Sequence, residues 1–332
     1  MKPKLYARPI TLFIALILLF IPFIVFAKAD SHAGFQFEEG KYQSTFHFQM
    51  AGNLIILPVS IEGKRLNLIF DTGMNSILLF SKRHIEDWSE FEKHTVKFSG
   101  LGMGKTITGK RLDGLSVKMP NINGKGLSLV VTPWSRFPKK LNGVDIDGVF
   151  GYQLLAKFIV QIDYKNQKIT LIEPEYFVKP RSAAVLDLNV YNTKPYVKCP
   201  VTIDSNKHML NLLVDTGAEA RLIINAESID FEIQNHKTES IGYGLAGALL
   251  GQKIRVNHIE LGGQTSLVDF EALVPTKRSY PNENEKLVRD GTLGGETLKK
   301  FKVTFDYFNN KLYLESGWAY KSGKETNPMV KN

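Results

Sequence analysis

The sequence predicts an all-β protein made of two homologous lobes, and three observations predict it. The first is a stretch that occurs twice: Leu66-Asn67-Leu68-Ile69-Phe70-Asp71-Thr72-Gly73 returns as Leu210-Asn211-Leu212-Leu213-Val214-Asp215-Thr216-Gly217. Each copy is an apolar run, as expected of a strand buried on both faces, ending on Asp-Thr-Gly, where glycine permits a tight turn. The second is that the landmarks after each copy recur in the same order. Asp147-Gly148-Val149-Phe150-Gly151 answers to Asp290-Gly291-Thr292-Leu293-Gly294, and Leu155–Tyr164 answers to Leu298–Tyr307. A repeat period the size of a domain means two lobes and not a solenoid. The third is that stretches with helical character are few and short.

Taken in order, Gly34 to Ile61 alternates between apolar and polar residues and reads as strands. Residues 62–80 hold the first Asp-Thr-Gly strand, its turn and a second apolar run, Ile77-Leu78-Leu79-Phe80. Residues 81–95 are charged and fit a short helix or a loop. Ser99 to Gly109 is rich in glycine and reads as the mobile tip of a hairpin. Residues 147–158 read as a turn with one or two helical turns, and Phe158 to Glu173 as a hairpin about Lys165-Asn166-Gln167. A linker from Pro174 to Ser182 follows, with two prolines breaking regular structure. The second lobe repeats the order: strand 208–215, apolar run 222–224, hairpin 241–252, turn 290–295, hairpin 301–315. The expected lobes are residues 35–175 and 183–316, and residues 317–332 read as a mobile tail.

Two nucleotide-like motifs compete for attention. Ser99-Gly100-Leu101-Gly102-Met103-Gly104-Lys105-Thr106 nearly spells a phosphate-binding loop, but Ser99 stands where the motif needs glycine. Gly242-Tyr243-Gly244-Leu245-Ala246-Gly247 matches G-x-G-x-x-G, yet Gly251 interrupts the helix that should follow. Both fall at equivalent places in the two repeats, and a pair of flap-like hairpins accounts for both at once. The seven histidines show no i, i+4 pair and no H-E-x-x-H, so zinc is not expected. No G-x-S-x-G is present to form a serine-hydrolase elbow.

These residues resemble the aspartic peptidases, specifically bacterial retropepsin-like proteins with two lobes fused in one chain. The resemblance spans roughly residues 41–316. It implies acid-protease-like β-barrel lobes about a pseudo-twofold axis, with the active site between them. It implies Asp71 and Asp215 as the catalytic pair and Thr72, Gly73, Thr216 and Gly217 as the supporting turns, the threonines bonding across the axis. It also implies flaps that contact substrate through Gly100, Leu101, Gly102, Gly242, Tyr243 and Gly244. An apolar-apolar-Gly segment should pack behind each active-site turn. Val149-Phe150-Gly151 fits, and Leu293-Gly294 fits with Thr292 as a departure. The expected ligand is a peptide or protein substrate, with no metal or cofactor and no need for an oligomer to complete the pair.

Two carboxyls held that close share one proton and titrate together. One then acts as general base on water and the other as acid on the scissile carbonyl, without a covalent intermediate. Pepsin-like enzymes usually follow Asp-Thr-Gly with Ser or Thr, whose hydroxyl donates to the carboxylate. Met74 and Ala218 stand here and cannot donate, so a pH optimum nearer neutrality is expected. The rival reading is a catalytically silent periplasmic peptide-binding protein with the same fold. A lone Asp-Thr-Gly would be only turn chemistry, and glycoside hydrolysis, which also uses paired carboxylates, lacks sugar-stacking aromatics here.

The start of the chain has its own character. Lys2, Lys4 and Arg8 precede an uncharged apolar run from Ile10 to Phe26, and Ala27-Lys28-Ala29 suits a signal peptidase, so residues 1–29 read as a signal peptide. The alternative is an uncleaved anchor giving membrane association through residues 10–26. Either way the lobes are expected on the exported side, in a bacterial periplasm. The formal charge of +9 includes those four basic residues and no acids from the first 29, leaving +5 for the rest. That excess, without a basic run, gives no reason to expect nucleic acid. Cys199 is the single cysteine, so no internal disulfide is possible, and it reads as a small buried hydrophobe.

Overall fold

The computed structural model describes residues 34–86, 89, 94–98, 107–132, 140–244, 247–263, 265–276 and 288–316. The N-terminal segment 1–29, the tail 317–332 and three expected flap residues, Gly100, Leu101 and Gly102, lie outside them. Among the described residues, nine strands form the first lobe's sheet. Its centre is Lys64–Phe70, antiparallel to Leu54–Ile61 and parallel to Gly148–Phe150. In the second lobe's sheet, of eight described strands, Asn206–Asp215 takes the same place, antiparallel to Lys194–Ile203 and parallel to Gly291–Gly294.

The unbroken apolar reading of these central strands has a direct cause. Side chains alternate across a sheet. Leu66, Leu68 and Phe70 enter the main core, while Ile69 enters a separate cluster with Ala51, Leu54, Ile56, Ile146 and Val149. Both faces are therefore covered. Phe70 and Phe150 are fully buried and pack edge to face with centroids 5.9 Å apart. Truncating either ring to alanine would cost about 3–5 kcal/mol.

The two lobes are joined by a third sheet that sequence reading did not anticipate. Six described strands lie in the order Ala184–Asp187, Lys311–Ser316, Phe301–Asp306, Ile159–Asp163, Lys168–Ile172 and Gln43–His47. Its middle pair, Ile159–Asp163 with Phe301–Asp306, brings together the equivalent strands of the two repeats. The expected hairpins 158–173 and 301–315 are present, and each supplies two of the six described strands of this sheet. The apolar core runs through it without a break, from Phe35 in the first lobe to Leu314 in the second.

Helix is scarce. Tyr152–Leu155 and Gly295–Leu298 are single α-turns after the two Asp-Gly-x-x-Gly motifs, and Lys82–His84 is a 3-10 turn in the charged stretch 81–95. The linker prolines leave a 3-10 turn at Pro174–Tyr176. Neither nucleotide-like motif is followed by a helix: Ile107–Met119 and Gly247–Glu260 are long strands.

Candidate active site

Each Asp-Thr-Gly turn ends a central strand, and the fold brings the two turns together. Thr72 and Thr216 are fully buried and interlocked. The backbone N–H of Thr72 donates to Thr216 Oγ1 at 3.1 Å, and that of Thr216 donates to Thr72 Oγ1 at 3.1 Å. Each hydroxyl then donates across the axis, Thr72 Oγ1 to the Val214 carbonyl at 2.6 Å and Thr216 Oγ1 to the Phe70 carbonyl at 2.7 Å. Four buried backbone groups are thereby satisfied, each by a threonine of the opposite lobe.

That lock sets the aspartates face to face. Gly73 N–H donates to Asp71 Oδ1 at 2.7 Å, and Gly217 N–H donates to Asp215 Oδ1 at 2.8 Å. A Cβ added at Gly217 would lie 2.8 Å from Cβ of Asp71, and one added at Gly73 would lie 3.0 Å from Asp215 Oδ2. At 217 a side chain has no room beside Asp71, and at 73 it would press on the Asp215 carboxyl. Asp215 is buried and Asp71 half-buried, and Gly73 and Gly217 each lie against the carboxyl of the opposite lobe. Loss of hydration, the negative charge of Asp215 and the chance to share a proton with it hold Asp71 well above its ordinary value of 3.8. The Gly73 N–H and the ammonium of Lys194 oppose the shift without cancelling it.

Behind the turns, the Phe150 carbonyl accepts the Asp71 N–H at 2.8 Å. The two Asp-Gly-x-x-Gly motifs do more than make a turn. Asp147 Oδ2 accepts the Asn67 N–H at 2.9 Å, and Asp290 Oδ2 accepts the Asn211 N–H at 2.8 Å. The asparagine amides answer by donating to the Asp145 carbonyl at 3.2 Å and the Val288 carbonyl at 2.7 Å. The Leu-Asn-Leu shared by the two repeats is thus half of a clamp that fastens each Asp-bearing strand to its parallel neighbour. At Gly148 and Gly291 a side chain would strike the carbonyl oxygens of Leu78 and Ile223. The signal for this framework was in the sequence, but its meaning needs the neighbouring strand. The remaining oxygens of the two aspartates are engaged differently: His84 Nε2 lies 3.3 Å from Asp147 Oδ1, and Ser228 Oγ donates to Asp290 Oδ1 at 2.9 Å.

The second expected flap is a hairpin, Glu239–Gly244 with Gly247–Glu260, and Gly242, Tyr243 and Gly244 lie at its end, paired with Leu249, Ala248 and Gly247. Gly242 has φ of +150° beside a register shift, a conformation side chains rarely adopt. Of the first flap, the stem His94–Phe98 with Ile107–Met119 is described. Cys199 is fully buried and burial pushes its thiol up to about 12, so it is not a nucleophile at neutral pH.

Among solved structures the chain is similar to an aspartic proteinase from Irpex lacteus, with a TM-score of 0.53 over 82% of this chain and 97% of that one. Identity is 11%, so the likeness is one of fold. No protein-family model matches the sequence, and no curated protein matches it. The fold is the two-lobed, all-β fold of pepsin-like aspartic proteinases.

Proposed function

We propose that the protein is an aspartic endopeptidase that hydrolyses peptide bonds by water attack, with Asp71 and Asp215 as the catalytic pair. The observation that carries this reading is the close approach of two carboxyls, one from each lobe, across the interlocked turns. A fold alone does not define a function, but this pair is the arrangement that water attack requires. One proton shared between the two leaves a carboxylate to take a proton from water and a carboxylic acid to donate to the scissile carbonyl oxygen. One oxygen of each carboxyl is fixed by its glycine N–H. The other is left for the proton, the water and the substrate. All of this comes from one chain, so the pair needs no second copy to complete it and no cofactor to act.

The hairpin flaps suit an extended peptide, which would add strand-like hydrogen bonds to them. The apolar N-terminal run supports action on the exported side of a membrane, through cleavage as a signal or retention as an anchor.

The test is cleavage of a diverse peptide mixture by the full chain across about pH 3–8, beside Asp71→Ala and Asp215→Ala. Cutting by the parent and silence in both variants supports the shared pair. Peptide binding without cleavage in all three makes the protein a silent binding module. Cleavage that survives either substitution overturns the mechanism.

A further inference from the structure

The linker between the lobes belongs to neither repeat, and its composition is not that of a plain connection. Between Pro174 and Pro180 it carries Tyr176-Phe177-Val178. Phe177 turns inward onto Tyr313 of the interlobe sheet, with ring centroids 5.8 Å apart. Its backbone is extended, so its neighbours point the other way. Val178 is 84% exposed and Tyr176 52%. Tyr176 stacks on Tyr42, itself 49% exposed, with centroids 4.2 Å apart. Single exposed apolar side chains are ordinary, but a cluster of them marks a surface that meets something.

Cations border this cluster. Lys41 adjoins Tyr42, and Lys179 and Arg181 follow Val178; all three are exposed. Among the described residues none of the three forms an ion pair. Of the acids close by in the chain, Glu173 is paired with Lys157 at 3.8 Å and Glu38 accepts from the Asn123 amide at 3.4 Å, while Glu39 and Glu175 stay exposed. The second lobe's sheet also exposes apolar side chains, Met209 and Val268, but its cations are neutralised: Lys207 pairs with Glu260 at 2.8 Å and Arg255 with Asp269 at 2.5 Å. The described chain begins at Gly34, with seven residues between it and the apolar run ending at Phe26, and it reaches Tyr42 eight residues on.

We infer that the patch of Tyr42, Tyr176 and Val178, with Lys41, Lys179 and Arg181 at its border, is a docking surface for a bilayer carrying anionic lipid. Tyrosine joins an apolar ring to a polar tip and suits the headgroup level of a membrane. Val178 adds an apolar contact below that level, and the cations meet lipid phosphates. One apolar contact holds a protein to a membrane only marginally, and a basic border supplies the second signal. Either fate of the N-terminal run, cleavage or retention, brings the chain to such a surface. The inference stands whether or not the chain cuts peptides.

Cys199 is the one cysteine and is fully buried, so a cysteine placed on the surface takes an environment-sensitive fluorophore selectively. The full chain is labelled at Val178→Cys or, as a second sample, at Met209→Cys. Each is mixed with vesicles of phosphatidylcholine, alone or with phosphatidylglycerol. On the anionic vesicles the probe at 178 is expected to brighten and shift to the blue, while the probe at 209 stays as in water. Tethering through the N-terminal run alone would leave both probes in water. Lys179→Gln and Arg181→Gln should each lower the ratio of docked to free probe about fivefold. Lys207→Gln, which removes the same charge from the second lobe, should leave that ratio unchanged. A response at both positions or at neither overturns the surface. So does a probe at 178 that is already shielded before lipid is added, which would mean that another part of the chain covers the patch. An equal response on phosphatidylcholine alone overturns the anionic partner.

Discussion

The side-chain amide of Gln161 donates to Thr304 Oγ1 across 3.2 Å, and the two residues are each other's counterparts in the duplication. They are also paired in register at the centre of the sheet that joins the lobes. The pseudo-twofold axis therefore passes between them, and each lobe contributes a strand that pairs on one side within its own lobe and on the other with its counterpart.

A first prediction follows for the separated halves. Residues 1–173 and 183–332 expressed apart would each expose an unpaired strand edge and the apolar face beneath it. Neither is expected to give dispersed amide resonances of a folded monomer, and co-expression is expected to restore them. Two independently folded halves would contradict the continuous core.

Thr72→Val and Thr216→Val keep the side-chain shape and remove a hydroxyl that serves two buried backbone groups of the opposite lobe. Each orphaned group costs about 1–3 kcal/mol. Either variant should lose about 2 kcal/mol or more in urea denaturation, and the double variant less than twice that, because the four bonds form one network. Strict additivity would show that the two threonines act independently.

The two glycines of the turns should differ in tolerance. A methyl at position 217 falls against the carbon skeleton of Asp71, while one at 73 meets the end of the Asp215 carboxyl. Gly217→Ala is expected to abolish cleavage and Gly73→Ala to weaken it, as read by kcat/KM. Equal losses would mean that the lobes shift apart to absorb either methyl.

Asp71 gives a pH prediction whose sign is opposite to that of a salt-bridged carboxylate. Its folded-state pKa lies above the ordinary 3.8, so the fold favours the protonated acid. Stability is fullest below 3.8 and falls as pH rises from there through the folded value. Asp71→Asn should melt higher than the parent at pH 7, with the difference vanishing below pH 3.8. The same upward shift, with no hydroxyl donor at Met74 or Ala218, should set the pH–rate maximum above about pH 4. A maximum below about pH 3 would place the pair among the pepsin-like values instead.

Much of this was legible because it is local. An apolar strand that stops on Asp-Thr-Gly carries its own turn, and two copies announce the symmetry that joins them. The interlobe sheet was not legible, since Val160 pairs with Phe305 and no pattern within either segment names its partner. Asn67 and Asn211 were visible as a coincidence, but their work depends on Asp147 and Asp290 from a strand far along the chain. Lys194, which the continued register sets opposite Asp215 as it sets Leu54 opposite Asp71, was hidden from sequence reading. Leu54 stands 17 residues before Asp71 and Lys194 stands 21 before Asp215, because the second lobe's hairpin is longer. A comparison anchored on the motifs therefore sets the wrong residue against Leu54.

Fusing two copies into one chain also changes what the cleft is able to distinguish. A site made by two identical subunits presents the same wall to both ends of an extended ligand and cannot tell one direction from the reverse. Here each wall is written by its own stretch of sequence, so one substitution alters one side alone. The registers of the two central strands, which continued would set Leu54 opposite Asp71 and Lys194 opposite Asp215, already make the two sides unlike.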